Sequence, residues 1–491
     1  MINFKCQFIV NKLFLLVKIK KTWHNLCMIK KEKVENFFSI LKNKILDIRH
    51  NKTVLVCCLL SIIYLLSGYW KWLEIGVSLT ALVFMAILPL QSSFCIFMFL
   101  HSFTLSTIGH DSCFMVTMIG YCLILLVKYI NGVEKGKYVY HKKLVSTILI
   151  FYTVGTALSL FNPLYRGAWL YFVYLPLFYL IFAMRKEFSI SQGMNYMFGG
   201  LLTSCSLALI SLLFPGFQYN VLFGLTGTIK EDRFNAFINN PNYLSMRALF
   251  ILSYYMYQFC LNKLSTIRFG SIFVILSLIT LATKSKAGFV ALAIITILFV
   301  IFYLKQDFKK RIKVVGIFAL LIIAVCLVGY TYLIQLIDRF LISYNGDSLL
   351  STFLTGRDEI WGLYLDKIYS SPFKFLFGHG LLHEQIYIAS QFGPTETHNF
   401  YIFLLYRFGI VGIIALGYII YLFIKLLNKD KPKAVAYLPL IYILLVSFID
   451  NTMKCYNITY FLFAIMIMFM NCAEKPENKD ASSKRNKKLR E

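Results

Sequence analysis

Charge is scarce in this chain, and acidic charge is scarcest. Of 491 residues 15% are charged, with 23 Asp and Glu against 50 Lys and Arg. A soluble protein of this length surrounds its core with polar surface. That surface is missing here: 58% of the residues are hydrophobic and the mean hydropathy is +0.68. A cysteine framework is missing too. The 12 cysteines are scattered, mostly inside apolar runs, and residues 337–397 contain none, so neither a disulfide scaffold nor a zinc site follows. The stretch "FKCQFIVNKLFLLVKIKK" (4–21) is apolar but broken by Lys12, and no small-residue cleavage site comes after it. It reads as a basic segment on the cytoplasmic surface rather than a signal peptide; a start at Met28 would omit it. No internal repeat is visible, and the charged tail "KPENKDASSKRNKKLRE" is the one segment of low complexity.

What remains is a series of apolar runs, each long enough to cross roughly 30 Å of hydrocarbon as a helix. They lie near 53–69, 74–90, 93–109, 113–130, 144–162, 167–184, 197–215, 243–260, 267–283, 286–304, 313–335, 400–427, 435–449 and 457–472. The pattern predicts an all-α, polytopic transmembrane helical bundle of about 12–14 spans. The divisions are a basic N-terminal segment (1–52), a bundle (53–335), a large external loop carrying amphipathic helix (336–399), C-terminal spans (400–472) and a basic tail (473–491).

The net charge of +27 is not a nucleic-acid signature. Lys and Arg gather in short clusters between spans: "NGVEKGKYVYHKK" (131–143), "RKEF" (185–188), "LNKLSTIR" (261–268), "KQDFKKRIK" (305–313), "NKDKPK" (428–433) and both termini. Fourteen spans put every one of these clusters on one side, which the positive-inside rule makes cytoplasmic. The other side receives the loops 216–242 and 336–399 and the turn at 284–285. Arg233, Lys286, Arg357, His379 and His398 therefore share one external face. Cations kept there against the positive-inside bias invite a functional reading.

Each motif on that face also has an ordinary reading. In "LTGRDEIWGLYLDKIYSS", Ile360, Trp361, Tyr364, Leu365 and Ile368 recur at helical steps, and Thr355 with Asp358 makes a weak capping box. Arg357 in the first turn of that helix makes an anion site, or else pairs with a nearby acid on a surface helix. The apolar stripe is expected on the outer membrane surface. His398 directly precedes a span, where the helix dipole disfavours imidazolium and leaves a proton acceptor; alternatively it is a solvated loop residue. Asn399 either orients it or caps the helix. In "RFNAFINNPN", Pro241 and the asparagines, Asn242 among them, are capping chemistry, which leaves Arg233 unexplained. Lys286 in "SKAG" is a phosphate contact or a snorkelling side chain. His379 lies in a looser "FGHG" turn.

In this order the set resembles the bacterial O-antigen ligase and polymerase superfamily of membrane glycosyltransferases. The resemblance covers roughly 200–425. It rests on an Arg-to-Asn-Pro-Asn segment, a Ser-Lys-Ala-Gly turn, and a loop opening at "TGRDEIW", containing "FGHG" and closing with "HNFYIFLLYRFGIVG". Lys286 stands where the family more often has arginine, and lysine lacks the bidentate fork. The resemblance implies an enzyme of the bacterial inner membrane with its site on the periplasmic face. It moves a glycan from a polyprenyl-pyrophosphate carrier to an acceptor hydroxyl, without cofactor or metal and with inversion. Catalytic roles fall to His398 and Arg357, and donor or glycan contacts to Arg233, Lys286, Asn242, His379 and Asn399. It also implies as partners the lipid-linked donor, the acceptor, the bilayer, and a flippase and chain-length regulator. The Phe- and Tyr-rich composition, 46 and 32 residues, inclines to polymerase over ligase. A lipid-linked sugar transporter is the alternative from another class, but the paired repeats of such transporters are not seen.

Overall fold

The computed structural model describes residues 52–67, 73–103, 111–161, 174–211, 233–236, 241–305, parts of 311–338, and 357–380, 397–427, 433–449 and 456–470. The N-terminal segment to 51, the tail, Thr355 and most of the loops 216–242 and 336–399 lie outside these. Met1–Leu59 and Leu60–Glu491 form two units, and of the first only the opening of a helix at Lys52 is among the described residues.

Regular structure among the described residues is helical throughout, with no strand. In chain order the helices are α1 (Lys52–Ser67), α2 (Leu73–Ile87), α3 (Leu90–Ser102), α4 (Asp111–Glu134), α5 (Lys142–Phe161), α6 (Tyr174–Ala183) and α7 (Ile190–Ser211). They continue as α8 (Pro241–Cys260), α9 (Thr266–Ala282), α10 (Lys286–Leu304), α11 (Arg357–Tyr369), α12 (Pro372–Phe377), α13 (Phe400–Leu427), α14 (Leu438–Ile449) and α15 (Tyr456–Met470). Every described residue between 311 and 338 is helical as well. The stretches Val116–Glu134, Ile190–Ile210, Lys286–Leu304 and Phe400–Leu427 are long and apolar enough to cross a membrane. The chain is an all-α polytopic protein, as its hydropathy predicts.

Helix α8 is the axis of the bundle. Every residue from Leu244 to Cys260 is buried, against α7, α9, α10 and α14. Protein on all sides explains why this span tolerates Arg247, Ser253 and Gln258: they face neighbouring helices rather than lipid. The Tyr255 hydroxyl donates to Asn195 Oδ1 at 2.8 Å, and Arg247 donates to the Ser102 carbonyl at 3.2 Å. Helix α10 is the opposite case, with Ile297 60% exposed on an almost wholly apolar helix. Small residues set the tightest pairing, that of α3 with α7. A Cβ on Gly193 would sit 2.5 Å from the Phe94 ring, and one on Gly200 2.2 Å from the Phe99 carbonyl oxygen.

Contacts fix the polarity of the helices. Tyr401, near the start of α13, donates to the Leu444 carbonyl near the end of α14 at 3.1 Å. Tyr442 of α14 donates to the Met246 carbonyl near the start of α8 at 3.1 Å. Gly288, near the start of α10, abuts Ser245 of α8. The starts of α8, α10 and α13 and the end of α14 therefore gather at one end. The basic loops meet at the other: Lys137 pairs with Glu187 at 2.9 Å, Arg311 donates to Asn262 Oδ1 at 3.4 Å, and Lys143 lies over the Tyr418 ring.

Candidate functional site

Two hydrogen-bonded assemblies occupy the end where those helices start. The first is built on the turn between α9 and α10. Thr283, Lys284 and Ser285 reverse the chain with Lys284 buried at a positive φ of 49°. Ser285 caps α10, its hydroxyl accepting from the Gly288 N–H at 3.1 Å. Lys286 is then the first residue of the helix. Arg233 clasps this turn to α8: its Nε donates to the Thr283 carbonyl at 2.8 Å, and its terminal nitrogen to Asn242 Oδ1 at 2.6 Å. The Phe234 N–H adds a bond to the Ala282 carbonyl at 3.1 Å. Arg233, Asn242 and the "SKAG" turn are one unit.

The second assembly joins α11, α12 and the start of α13. Arg357 opens α11, with Asp358 and Glu359 exposed beside it. One turn on, the Trp361 indole donates to the Thr397 carbonyl at 2.7 Å. This ties the head of α11 to the residue before His398. Asn399 is the cap of α13, its Oδ1 accepting from the Tyr401 and Ile402 N–H groups at 3.0 and 3.1 Å. His398 therefore lies just outside the helix, half-buried, with its backbone at φ 47°. Of the two roles open to Asn399, capping is the one its hydrogen bonds fill.

The "FGHG" segment is not a loose turn. Helix α13 breaks at Gly409, where φ is 63° and ψ −176°, a combination essentially restricted to glycine. A break leaves upstream carbonyls without helical partners, and "FGHG" supplies them. The His379 N–H donates to the Tyr406 carbonyl at 2.7 Å and the Gly380 N–H to the Arg407 carbonyl at 3.2 Å. Gly378 adopts nearly the same conformation, φ 77° and ψ −175°. A Cβ on it would lie 2.5 Å from the Arg407 backbone, and one on Gly409 2.3 Å from the Leu376 carbonyl oxygen. The His379 ring stacks on Tyr406 at 4.6 Å. Its Nε2 lies 2.9 Å from the Lys367 carbonyl, an acceptor only, so Nε2 carries a proton. Burial holds this imidazole below its ordinary value; the Lys367 carbonyl pulls it back up, and the charges of Lys374 and Lys367 lower it further.

One expectation about α11 needs correcting. Tyr364 and Ile368 do not lie on the membrane surface; they are buried with Tyr406 of α13, Tyr364 edge-on to it at 4.8 Å. The apolar stripe is an interhelical contact. Helix α14 links the two assemblies, since its Leu444 and Phe448 meet Tyr401 and Trp361 while Tyr442 reaches α8. Sequence reasoning overlooked Arg407, buried with its guanidinium 4.1 Å from the Phe403 ring centre. A charge inside the apolar run "FLLYRFG" was the available signal.

Fold and site together define a polytopic helical membrane protein whose polar assemblies are built around helix starts at one end. Residues 271–417 carry a domain that matches the family model described as O-Antigen ligase, which supports the O-antigen ligase and polymerase superfamily for this chain. No curated protein and no solved structure matches it. The matched stretch takes in Lys286, Arg357, His379, His398, Asn399 and the break at Gly409; Arg233 and Asn242 precede it. The match supports a membrane enzyme of surface polysaccharide assembly, of glycosyltransferase type, acting on lipid-linked glycans.

Proposed function

We propose that the protein is a surface-polysaccharide polymerase of the bacterial inner membrane. It transfers a growing glycan from its polyprenyl-pyrophosphate carrier to a hydroxyl of the next carrier-linked unit, on the external face. The acceptor oxygen forms a bond to the anomeric carbon as the bond from that carbon to the pyrophosphate breaks, with inversion. His398 takes the hydroxyl proton. The electron pair leaves on the carrier pyrophosphate, a good leaving group that needs no acid. Its charge is met by Arg357, Lys286 and Arg233 and by the helix starts of α8, α10 and α11, so no metal is required. Asn242 and Asn399 hold the assemblies in place, and His379 holds the helix break. A flippase supplies donor and a chain-length regulator works beside the enzyme.

The observation that carries this reading is the Trp361–Thr397 hydrogen bond, which places the helix headed by Arg357 against the residue next to His398. That tie supports assigning the cation and the candidate base to one site. Deletion of the gene with electrophoresis of the surface glycan tests it. Surface lipid capped with a single repeat unit is expected. Loss of all capping with accumulated carrier-linked polymer would make the protein a ligase instead. Cysteines placed at Ser351 or Gln391 in a background lacking native cysteines should label with an impermeant maleimide in intact cells. Protection at both would move the site to the wrong face.

A further inference from the structure

At the opposite end of the bundle, helices α4, α5 and α6 leave an apolar groove of about 390 Å³ between them, within the roughly 300–1,000 Å³ range of ligand pockets. Leu126 and Val133 of α4, Ile148, Leu149 and Tyr152 of α5 and Leu180 of α6 form its walls. Within its lining the hydroxyls of Tyr129 and Tyr179 lie 2.8 Å apart. Tyr129 donates onward to the Val139 carbonyl at 3.0 Å, and the His141 N–H donates to the Tyr179 hydroxyl at 3.3 Å. The loop 135–141 is thus fastened to α4 and α6 beside the groove, which its Tyr140 helps to line. It brings charge: residues 134–143 and 185–187 hold six cations, Lys135, Lys137, Lys142, Lys143, Arg185 and Lys186, against the carboxylates of Glu134 and Glu187. Glu187 is engaged by Lys137 at 2.9 Å. Lys135 and Lys142 stand exposed, one beside the lining residue Glu134 and the other three residues before the lining residue Val145; Lys143 lies over the Tyr418 ring of α13, and Glu134 is the remaining carboxylate.

We propose that this groove is a binding site for one anionic diacyl glycerophospholipid, its acyl chain between α4, α5 and α6 and its phosphate beside Lys135 and Lys142. Hydrocarbon walls at membrane depth favour an acyl chain over water. A basic rim between transmembrane helices attracts an anionic head group over a zwitterionic one. The reading is independent of the glycosyl-transfer chemistry at the other end.

The full-length protein, delipidated in detergent, is titrated with phosphatidylglycerol and with phosphatidylcholine of the same acyl chains, and bound lipid is counted by native mass spectrometry. The expected result is a roughly tenfold preference for phosphatidylglycerol that weakens with salt. The double variant Lys135→Gln, Lys142→Gln should erase the preference, and Val145→Trp, which fills the groove, should weaken both lipids. Equal binding of the two lipids by the unaltered chain overturns the proposal, and that comparison depends on no variant folding. So does a preference that survives in the double variant. Displacement by glycerol 3-phosphate at equal concentration would mean a free-phosphate site. Tighter, Val145→Trp-sensitive binding of a polyprenyl phosphate would assign the groove to the carrier instead.

Discussion

The two ends of the bundle hold similar residues in opposite ways. Where the helices start, Arg233 is bonded on two edges, Lys284 is buried at 6% exposure and His379 at 4%. At the other end Lys135, Lys142, Lys143 and Lys305 stand in the open, and the Lys137–Glu187 pair is 55% and 28% exposed, a kind of contact worth about 0–1 kcal/mol. Orientation in a membrane needs only a number of positive charges on one side. Chemistry needs each charge at a fixed place, and the backbone bends to hold it: of the four described non-glycine residues with positive φ, Ala236, Lys284 and His398 lie at the ordered end and Asn262 at the basic one.

The contrast is sharpest if single changes at the ordered end abolish function while several at the basic end do not. Arg357→Ala should abolish polymer in a cell-based glycan assay with membrane insertion intact, and Arg357→Lys should restore it incompletely because the fork is lost. Retained polymer would return Arg357 to a surface ion pair. His398→Ala should slow turnover on the order of 10²–10⁴-fold while donor binding survives; near-normal turnover would shift the search for a base to Asp358, Glu359 and Glu396. Gly409→Ala meets a backbone oxygen as well as a forbidden conformation, and should cost at least about 1–3 kcal/mol, read as a lower unfolding temperature of the solubilised protein.

A pH effect is expected from His379. Its folded value lies below the ordinary 6.5, so the unfolded chain binds the proton first and stability falls as pH drops through about 6.5. Thermal unfolding across pH 5–8 should show a slope that His379→Gln flattens; an unchanged slope assigns it elsewhere. Smallest of all, Lys142→Gln with Lys143→Gln should alter turnover no more than roughly twofold, the scale of surface substitutions. A large loss would erase the distinction between the ends.

Hydropathy made most spans legible, since a segment that meets lipid must be apolar along its length. It read α8 well in extent but not in position: Arg247 and Gln258 look like flaws until the helix is seen to touch only protein. Capping was legible at Asn399, which acts on neighbours two or three residues away; the cap by Ser285 was not, because the "SKAG" turn draws attention to Lys286. The pairing of "FGHG" with Gly409 was not. It bonds His379 to Tyr406 and Gly380 to Arg407 and sets Gly378 against Gly409, all far apart in the chain. Backbone bonds of that kind leave no side-chain pattern. Across the division at 399 and 400, the segment before it supplies main-chain partners to the helix after it.

That splice has a practical consequence for chimeras. An exchange of residues 336–399 with the corresponding segment of a similar protein would separate a pair of glycines shaped only for each other. One half of the joint would enter the new host without its mate, and two buried carbonyls would lose their partners. The cassette that can travel runs from Pro372 through Gly412, carrying "FGHG" and the break together.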